Sequence, residues 1–162
     1  MEIREVRSEE HEEAGRVTRL AYAEFGAEGW SDDYAQRLAD IGARADRTTV
    51  LVAVEDDRVL GTVTLELELR LEGGHPRPPL RPGEAHVRML GVAPDTRGRG
   101  VGRALMEACI ARARDAGKTF LSLHTTEEMT AAMGMYASIG FRRMPDLVYP
   151  NGFTLLAFEM EL

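Results

Sequence analysis

Hydrophobic and polar residues alternate along several segments of this chain, which is the pattern of β-strands with one buried face. The alternation is clearest from residue 62 to 71, where every odd position is valine or leucine and every even one is polar. A β-branched run at 49–54 precedes it across the turn Asp56-Asp57, so strands 49–54 and 59–71 are predicted to form a hairpin. Five further strands are predicted at 3–7, 84–92, 119–123, 141–149 and 153–162.

Apolar residues recur at helical spacing in four other segments. The first helix is predicted from Ser8, as its N-cap, to about Phe25. Its predicted buried residues are Ala14, Val17, Leu20, Ala21 and Ala23. A second helix is predicted after Ser31, with Tyr34, Leu38 and Ile41 on one face. Two more are predicted at 101–116 and 127–139, each ended by a glycine.

The resulting order of elements is β-α-α-β-β-β-α-β-α-β-β, an α/β (α+β) fold. The loop at 72–83, with its two adjacent glycines and four prolines, is the one segment that resembles a linker. Because the hairpin before it could not fold alone, we expect a single domain over residues 1–162. The single cysteine, Cys109, excludes an intramolecular disulfide and a cysteine-rich zinc site, and we expect no metal.

Composition and charge narrow the function classes. The 162 residues are 44% hydrophobic and 29% charged, which is ordinary for a globular chain. The balance of 20 basic and 27 acidic residues argues against a nucleic-acid partner. No segment approaches the roughly 20 apolar residues that a membrane span requires, and residues 1–7 do not resemble a signal peptide. We therefore expect a cytoplasmic protein with no membrane partner.

The most informative segment is glycine-rich and lies between a predicted strand and a predicted helix. Glycines at 98, 100 and 102 precede the helix, whose first N–H groups lack intrahelical partners and carry partial positive charge. Such a segment can bind a diphosphate on its backbone, with added charge from nearby arginines. It does not fit a Walker loop, which ends in Gly-Lys-Ser/Thr, or a dinucleotide fingerprint, which would need glycine at position 103.

The spacing Arg97-x-x-Gly100-x-Gly102 resembles the acetyl-CoA motif of the GNAT superfamily of N-acetyltransferases. The segment Ala132-x-x-x-Tyr136-x-x-x-Gly140-Phe141 is similar to a later helix of that family. The resemblance covers residues 86–141 as sequence and nearly the whole chain as element order. It implies a mixed, mostly antiparallel twisted sheet of about seven strands flanked by about four helices, with acetyl-CoA as co-substrate between splayed central strands.

The resemblance also assigns residues to cofactor binding. They are Leu90, Gly91, Val92, Arg97, Gly98, Arg99, Gly100, Val101, Gly102 and Arg103. The backbone amide near Leu90 would stabilise the oxyanion beside a strand bulge, for which Gly91 is suited. The chain departs from the family at Met129, where many members carry an asparagine that contacts the cofactor.

Acetyl transfer to an amine also needs a base for the amine and an acid for the departing thiolate. The resemblance makes Tyr136 the acid, since its counterpart lies beside the cofactor sulfur. His86 occupies the position of the family's common glutamate base, and Glu84 lies on the same face of the strand. An ionised Glu84 nearby would raise the pKa of His86 and give the rate a pH limb near 7.

Residues that would face the acceptor are harder to identify from sequence. Glu66 and Glu68, on the polar face of the preceding strand, are alternatives for the base or for contact with the substrate. Trp30 lies between the first two helices, where the family builds its acceptor wall. Residues 1–80 hold 18 acidic and 10 basic side chains, which suggests a cationic acceptor.

The predicted function is transfer of an acetyl group from acetyl-CoA to a primary amine, by direct attack and without an acyl-enzyme. The expected acceptor is a small-molecule or peptide amine. The resemblance also makes a homodimer possible, because members of the family commonly form homodimers. Two alternatives stay open. One is a non-catalytic acyl-CoA-binding regulatory module on the same fold, and the other is a protein N-terminal acetyltransferase.

Overall fold

The computed structural model describes residues 1–25, 32–71 and 77–162, and within these ranges seven strands form one sheet. The strands are β1 (Glu2–Glu5), β2 (Thr49–Glu55), β3 (Arg58–Glu66), β4 (Glu84–Val92), β5 (Phe120–Thr125), β6 (Arg142–Val148) and β7 (Thr154–Glu161). The helices are α1 (His11–Ala23), α2 (Asp32–Ala39), α3 (Ile41–Ala45), α4 (Val101–Asp115) and α5 (Thr130–Ile139). The predicted fold class is confirmed, with the short helix α3 as an addition.

The sheet order is β1-β2-β3-β4-β5-β7-β6. Neighbouring strands are antiparallel except β4 and β5, which run parallel through the helix α4 that connects them. Leu51 and Ala53 of β2 belong to the core shared with α4, whereas Val50 and Val52 belong to the core shared with α1. Because successive strand residues point to opposite faces, α1 and α4 cover opposite faces of the sheet.

Several predicted boundaries are wrong, among them the end of β3 and the end of α2. The strand expected to reach Leu71 ends at Glu66, since the Leu71 N–H donates to Glu66 Oε1 at 2.9 Å and the chain folds back. The second helix was predicted to include Ile41, but it ends at Ala39. Asp40 then caps α3 by accepting a hydrogen bond from the Ala43 N–H at 3.0 Å. The expected cap at Ser31 lies outside the described residues.

The first helix also differs from its prediction, both in where it starts and in which of its residues are buried. Ser8 begins a short 3₁₀ turn instead of capping the helix, and α1 starts at His11. Leu20 is 46% exposed, and Ala23 is exposed as well. The polar Thr18 is buried because its hydroxyl bonds the Ala14 carbonyl at 2.8 Å and the Thr62 hydroxyl at 2.7 Å. A buried hydroxyl with both partners can replace an apolar side chain in the core.

Within the described ranges, no helix combines the length and the apolar character that crossing a membrane demands.

Helix α1 packs very closely against α2 at Gly15. A Cβ added at Gly15 would lie 2.2 Å from the Ala39 carbonyl oxygen. In Gly15→Ala we expect the energetic cost of this clash to exceed the stabilisation from higher helix propensity, which is up to about 1 kcal/mol. The free energy of unfolding should therefore fall by about 1–3 kcal/mol. Urea denaturation measures the change.

Gly134→Ala is the matched control, because Gly134 lies within α5 and a Cβ there has nothing within 4 Å. This variant should be neutral or more stable by up to about 1 kcal/mol. Equal stabilisation by both substitutions would contradict the close α1–α2 contact.

Candidate active site

The two parallel central strands separate half-way along their length. Their pairing runs from Glu84 opposite Phe120 to Val87 opposite Leu123 and goes no further. Beyond this point β5 still pairs with β7, through His124 opposite Ala157 and Thr125 opposite Leu156. The remainder of β4 pairs with β3 alone. The divergence opens a cleft between the two strands.

A β-bulge lies in β4 where the cleft begins. Thr62 of β3 pairs with Gly91 and Thr64 pairs with Arg88, so Met89 and Leu90 together oppose one residue of β3. Met89 has a φ of 54°, a left-handed conformation that is uncommon for its residue type. The bulge is therefore centred on Met89 and not on Gly91 as predicted.

Gly91 has a different role, in helix packing. A Cβ at this position would lie 3.0 Å from the Ala21 Cβ and 3.4 Å from the Thr18 Cα. The absence of a side chain lets α1 lie directly against β4 beside the bulge.

The glycine-rich segment forms an open cradle at the start of α4. Gly98 and Gly100 have φ values of 75° and 81°, and a Cβ on either would have no atom within 4 Å. The first hydrogen bond of the helix runs from the Ala104 N–H to the Gly100 carbonyl at 3.0 Å. The amides of the three residues between them precede that bond and are available to an anion.

The three arginines of this segment point in different directions. Arg97 bonds Glu24, and also the Ala21 carbonyl at 3.4 Å, so it ties the segment to the end of α1. Arg103 donates to the Ser138 hydroxyl at 2.6 Å, and both it and Arg97 line the cleft. Arg99 instead pairs with Glu55 of β2 and does not line the cleft.

The cleft contains two adjoining cavities. The first, the glycine-loop cavity, has a volume of about 430 Å³. It is lined by every residue predicted to bind the cofactor except Arg99, namely Leu90, Gly91, Val92, Arg97, Gly98, Gly100, Val101, Gly102 and Arg103. Tyr136 and Met129 line it as well. The open glycine backbone, the available amides and the nearby arginines fit a ligand with a diphosphate, as acetyl-CoA has.

Tyr136 lies in the glycine-loop cavity, with its ring in the core. It is 5% exposed and packs against Phe141 and Phe158 at ring-centroid distances of 5.9 and 6.0 Å. Burial raises the pKa of its hydroxyl, which therefore stays protonated at neutral pH. A protonated phenol at this point can donate a proton to a basic ligand atom.

The second cavity, here the arginine cavity, has a volume of about 420 Å³. Its charged side chains are Arg37, Arg77 and Arg88, and no aspartate or glutamate of the described chain lines it. Aromatic and apolar residues supply much of the remaining wall, namely Tyr22, Tyr34, Val87, Met89, Met129, Tyr149, Phe153 and Leu155. The acidic excess that suggested a cationic acceptor is therefore absent from the described part of this wall.

The two cavities meet where β4 and β5 diverge. The residues that line both are Tyr22, Val87, Arg88, Met89, His124, Thr125 and Met129. A group bound in one cavity can therefore reach a group bound in the other across the bulge.

His86 and Glu84 are joined by a hydrogen-bonded chain through Ser122 of β5. The Ser122 hydroxyl donates to Glu84 Oε1 at 2.5 Å and lies 2.7 Å from His86 Nδ1. Because that hydroxyl proton is used by the carboxylate, Nδ1 must carry its own proton and donate to Ser122. The other ring nitrogen, Nε2, then accepts from Arg77 Nη1 at 3.1 Å.

The electrostatic surroundings favour a neutral His86 and an ionised Glu84. Burial, with Arg70 and Arg77 close by, lowers the pKa of His86 well below its usual value. Burial alone would raise the pKa of Glu84, but hydrogen bonds from Ser122 and Arg81 outweigh it and lower that pKa. The expected rise in the pKa of His86 is therefore wrong, because burial and the nearby arginines both lower it.

Glu66, on the polar face of β3, is fully buried. Its Oε1 atom accepts from Arg88 Nη1 at 3.1 Å and lies 3.8 Å from Arg77 Nη2. Glu66 does not line the arginine cavity, but it contacts two arginines that do, Arg88 and Arg77. Glu68 is exposed and pairs with Lys118 at 3.1 Å, outside both cavities. Trp30 lies outside the described residues.

Sequence reasoning did not assign His124 to the site, and it missed Arg37, Arg77 and Arg88 of the arginine cavity. His124 lines both cavities, and its ring lies 5.1 Å from that of His86. Its buried Nδ1 has no hydrogen-bond partner in the described chain. Its place at the free end of β5, next to the point of divergence, is the signal that would have identified it. Within the described ranges, no group of three or more His, Cys, Asp or Glu residues could hold a metal ion.

Comparisons with known proteins agree with this geometry. The sequence profile described as the Acetyltransferase (GNAT) family matches residues 5–141. Mycothiol acetyltransferase of Cellulomonas flavigena is 32% identical over 135 residues, which are 83% of this chain and 38% of that protein. The chain thus spans well under half the length of this curated relative.

Two solved structures have the same fold over 99% of the chain. One is an acetyltransferase of the GNAT family from Staphylococcus aureus Mu50, with a TM-score of 0.75, 17% identity and 98% of its chain covered. The other is YncA of Salmonella typhimurium, solved with its cofactor acetyl-CoA, with a TM-score of 0.70, 20% identity and 92% covered.

The surroundings of His124 predict a pH dependence of stability. Burial, with Arg77 and Arg70 nearby, lowers the pKa of His124 to about 4. Between pH 6.5 and 4 the unfolded chain binds a proton here that the folded chain does not. The free energy of unfolding should therefore fall as the pH is lowered, by up to about 1.4 kcal/mol per pH unit from this residue.

In His124→Gln this contribution is absent, so the dependence measured by urea denaturation over that range should be shallower than in the native protein. Tyr136→Phe removes no group that titrates there and should keep the native slope. An unchanged slope in His124→Gln would show that the residue titrates as it does in the unfolded chain.

Proposed function

Because the chain belongs to the GNAT acetyltransferase family, we propose that it transfers an acetyl group from acetyl-CoA to a primary amine. Acetyl-CoA lies in the glycine-loop cavity and the amine in the arginine cavity. The observation that carries the proposal is the meeting of the two cavities at the bulge of β4, where β4 and β5 diverge.

The glycine-rich segment holds the diphosphate of the co-substrate. The amides of Val101, Gly102 and Arg103 donate to its oxygens, and the helix dipole of α4 favours their charge. The guanidinium group of Arg103 lines the same cavity and adds a charge-assisted contact. When bound, acetyl-CoA supplies the thioester whose acetyl group is transferred.

Three groups of this chain serve the transfer. The Leu90 amide, beside the bulge, donates a hydrogen bond to the carbonyl oxygen of the acetyl group. Tyr136 holds a proton for the departing sulfur, and its raised pKa keeps that proton in place until it is needed. His86 takes a proton from the amine at Nε2, after the amine or a water replaces Arg77 as the partner of that nitrogen.

The chain from His86 through Ser122 to Glu84 stabilises the histidine when it is protonated. Both hydrogen bonds can remain in place, because Nδ1 already donates to Ser122 and Ser122 already donates to the carboxylate. Glu84 thus acts as a positioning residue through Ser122 and not as a direct base.

Transfer proceeds by direct attack of the amine. Cys109 is the single cysteine of the chain, and it lies on the buried face of α4, in the core. Burial raises the pKa of its thiol to about 12, so it is a poor nucleophile.

Gly100→Val tests the cradle. A branched side chain at Gly100 enters the open space where the diphosphate would lie, so we expect affinity for CoA, measured by calorimetry, to fall at least tenfold, about 1.4 kcal/mol. The control is Gly117→Val at the other end of α4, where φ is 72° and a Cβ also has nothing within 4 Å. Both variants carry the same left-handed strain of roughly 1–2 kcal/mol, and only the first should lose affinity.

Tyr136→Phe tests the acid and, with it, the proposed transfer. Phenylalanine keeps the packing on Phe141 and Phe158 and removes only the hydroxyl, so kcat should fall roughly 10²-fold while CoA affinity stays within twofold. Release of the CoA thiol against a panel of amines is the measurement. Cys109→Ala should retain kcat within twofold. If no amine in a broad panel releases thiol from the native protein, which still binds CoA, the non-catalytic acyl-CoA-binding alternative is favoured.

A further inference from the structure

The described residues neutralise only part of the positive charge on the wall of the arginine cavity. Glu66 is shared by Arg88 at 3.1 Å and Arg77 at 3.8 Å, so one carboxylate serves two guanidinium groups. Arg37, on the same wall, makes no ion pair with any described residue, and its Nε is buried without a hydrogen bond. The other buried carboxylate nearby, Glu84, is already paired with Arg70 at 3.2 Å and Arg81 at 3.1 Å.

Arg77 lines the cavity and lacks a full set of partners. The side chain of Arg77 is 10% exposed, and its Nη2 atom has no hydrogen-bond partner in the described chain. Burial, with Arg88 near it, lowers the pKa of Arg77 to about 10, which still leaves it charged at neutral pH. A buried cation without a full set of partners is costly unless an anion binds to it.

We propose that the acceptor is an amine that also carries a carboxylate, and that Arg37 and Arg77 bind this carboxylate in the arginine cavity. The inference rests on the proposed function for the amine, and on the unbalanced guanidinium groups for the carboxylate. Guanidinium groups match a carboxylate with two parallel hydrogen bonds, which makes arginine better suited than lysine to this task.

The remaining residues of the cavity wall indicate the chemical character of the rest of the acceptor. Tyr34, Tyr149, Phe153 and Leu155 line the cavity away from the glycine-rich segment, and Met89 and Met129 line its junction with the other cavity. Such a surface accepts an apolar or aromatic body. A polyamine or a lysine side chain with no anionic group would meet three guanidinium groups and no described carboxylate on the wall. The structure therefore points to amino acids with an apolar or aromatic body.

The test uses matched pairs of acceptors with the full chain and acetyl-CoA. A panel of α-, β- and aromatic amino acids is compared with the carboxamide of each, which keeps the amine and the body but removes the negative charge. We expect kcat/KM for the accepted amino acids to exceed that for their carboxamides at least tenfold, mainly through KM. Equal or better use of the carboxamides, with clear acetyl transfer, would overturn the inference and leave the proposed function intact.

Variants locate the effect. Arg37→Gln is the cleaner probe, because Arg77 also bonds His86. We expect Arg37→Gln to reduce the preference for the amino acid over its carboxamide at least fivefold. Arg142→Gln is the matched control, since Arg142 lies on β6 outside both cavities, and it should keep the preference. A preference that survives unchanged in both Arg37→Gln and Arg77→Gln would also overturn the inference.

Calorimetry of the same pairs in the presence of CoA gives a readout that does not depend on transfer. Tighter binding of the amino acids than of the carboxamides, with no thiol release for any acceptor, would sustain the carboxylate site and refute the proposed activity. Absence of binding by every amino acid of the panel would refute the carboxylate site.

Discussion

The end of pairing between β4 and β5 is the structural feature on which the rest of this site depends. Two parallel strands that stayed paired over their whole length would bring their side chains together and leave no space between them. Here pairing stops after Val87 and Leu123, and the bulge at Met89 turns β4 away. The backbone of both strands becomes available along the cleft, and α4 begins beside it with free amides. The cleft between β4 and β5 thus contains two adjoining cavities, the glycine-loop cavity and the arginine cavity.

Keeping that gap open requires support from both faces of the sheet. On one face, Gly91 lets α1 approach β4, with Ala21 and Tyr22 beside the bulge. On the other, Val101 and Leu105 of α4 pack in the main core. Beneath the arginine cavity the support is ionic, because Glu66 and Glu84 each hold guanidinium groups in place. Buried pairs of this kind add little net stability, but they fix the positions of charges that would otherwise be costly to bury.

The parts of this site that the sequence predicts are those with local signatures. The glycine-rich segment and the tyrosine helix occupy short stretches, and all predicted cofactor contacts except Arg99 line one cavity. The arginine cavity could not be predicted in this way, because Arg37, Arg77 and Arg88 come from three distant segments. Net charge counts residues without locating them, so the acidic first half of the chain did not predict that the charged side chains described on the wall of this cavity are arginines. Alternation placed Glu66 on the polar face of its strand, but it could not show that Arg88 and the Leu71 N–H cover that carboxylate.

The same electrostatics bear on how an amine could react here. In water most primary amines are protonated at neutral pH, and a histidine whose pKa is well below 6.5 is a weak base for removing that proton. Inside the arginine cavity, burial and the guanidinium groups that lower the pKa of His86 act on a bound amine in the same direction, because both are cationic when protonated. The amine is therefore driven toward its neutral, nucleophilic form by its surroundings. His86 then needs to accept only the proton released as the new bond forms. Its hydrogen bond to Ser122, which in turn donates to Glu84, stabilises the positive charge that the histidine gains.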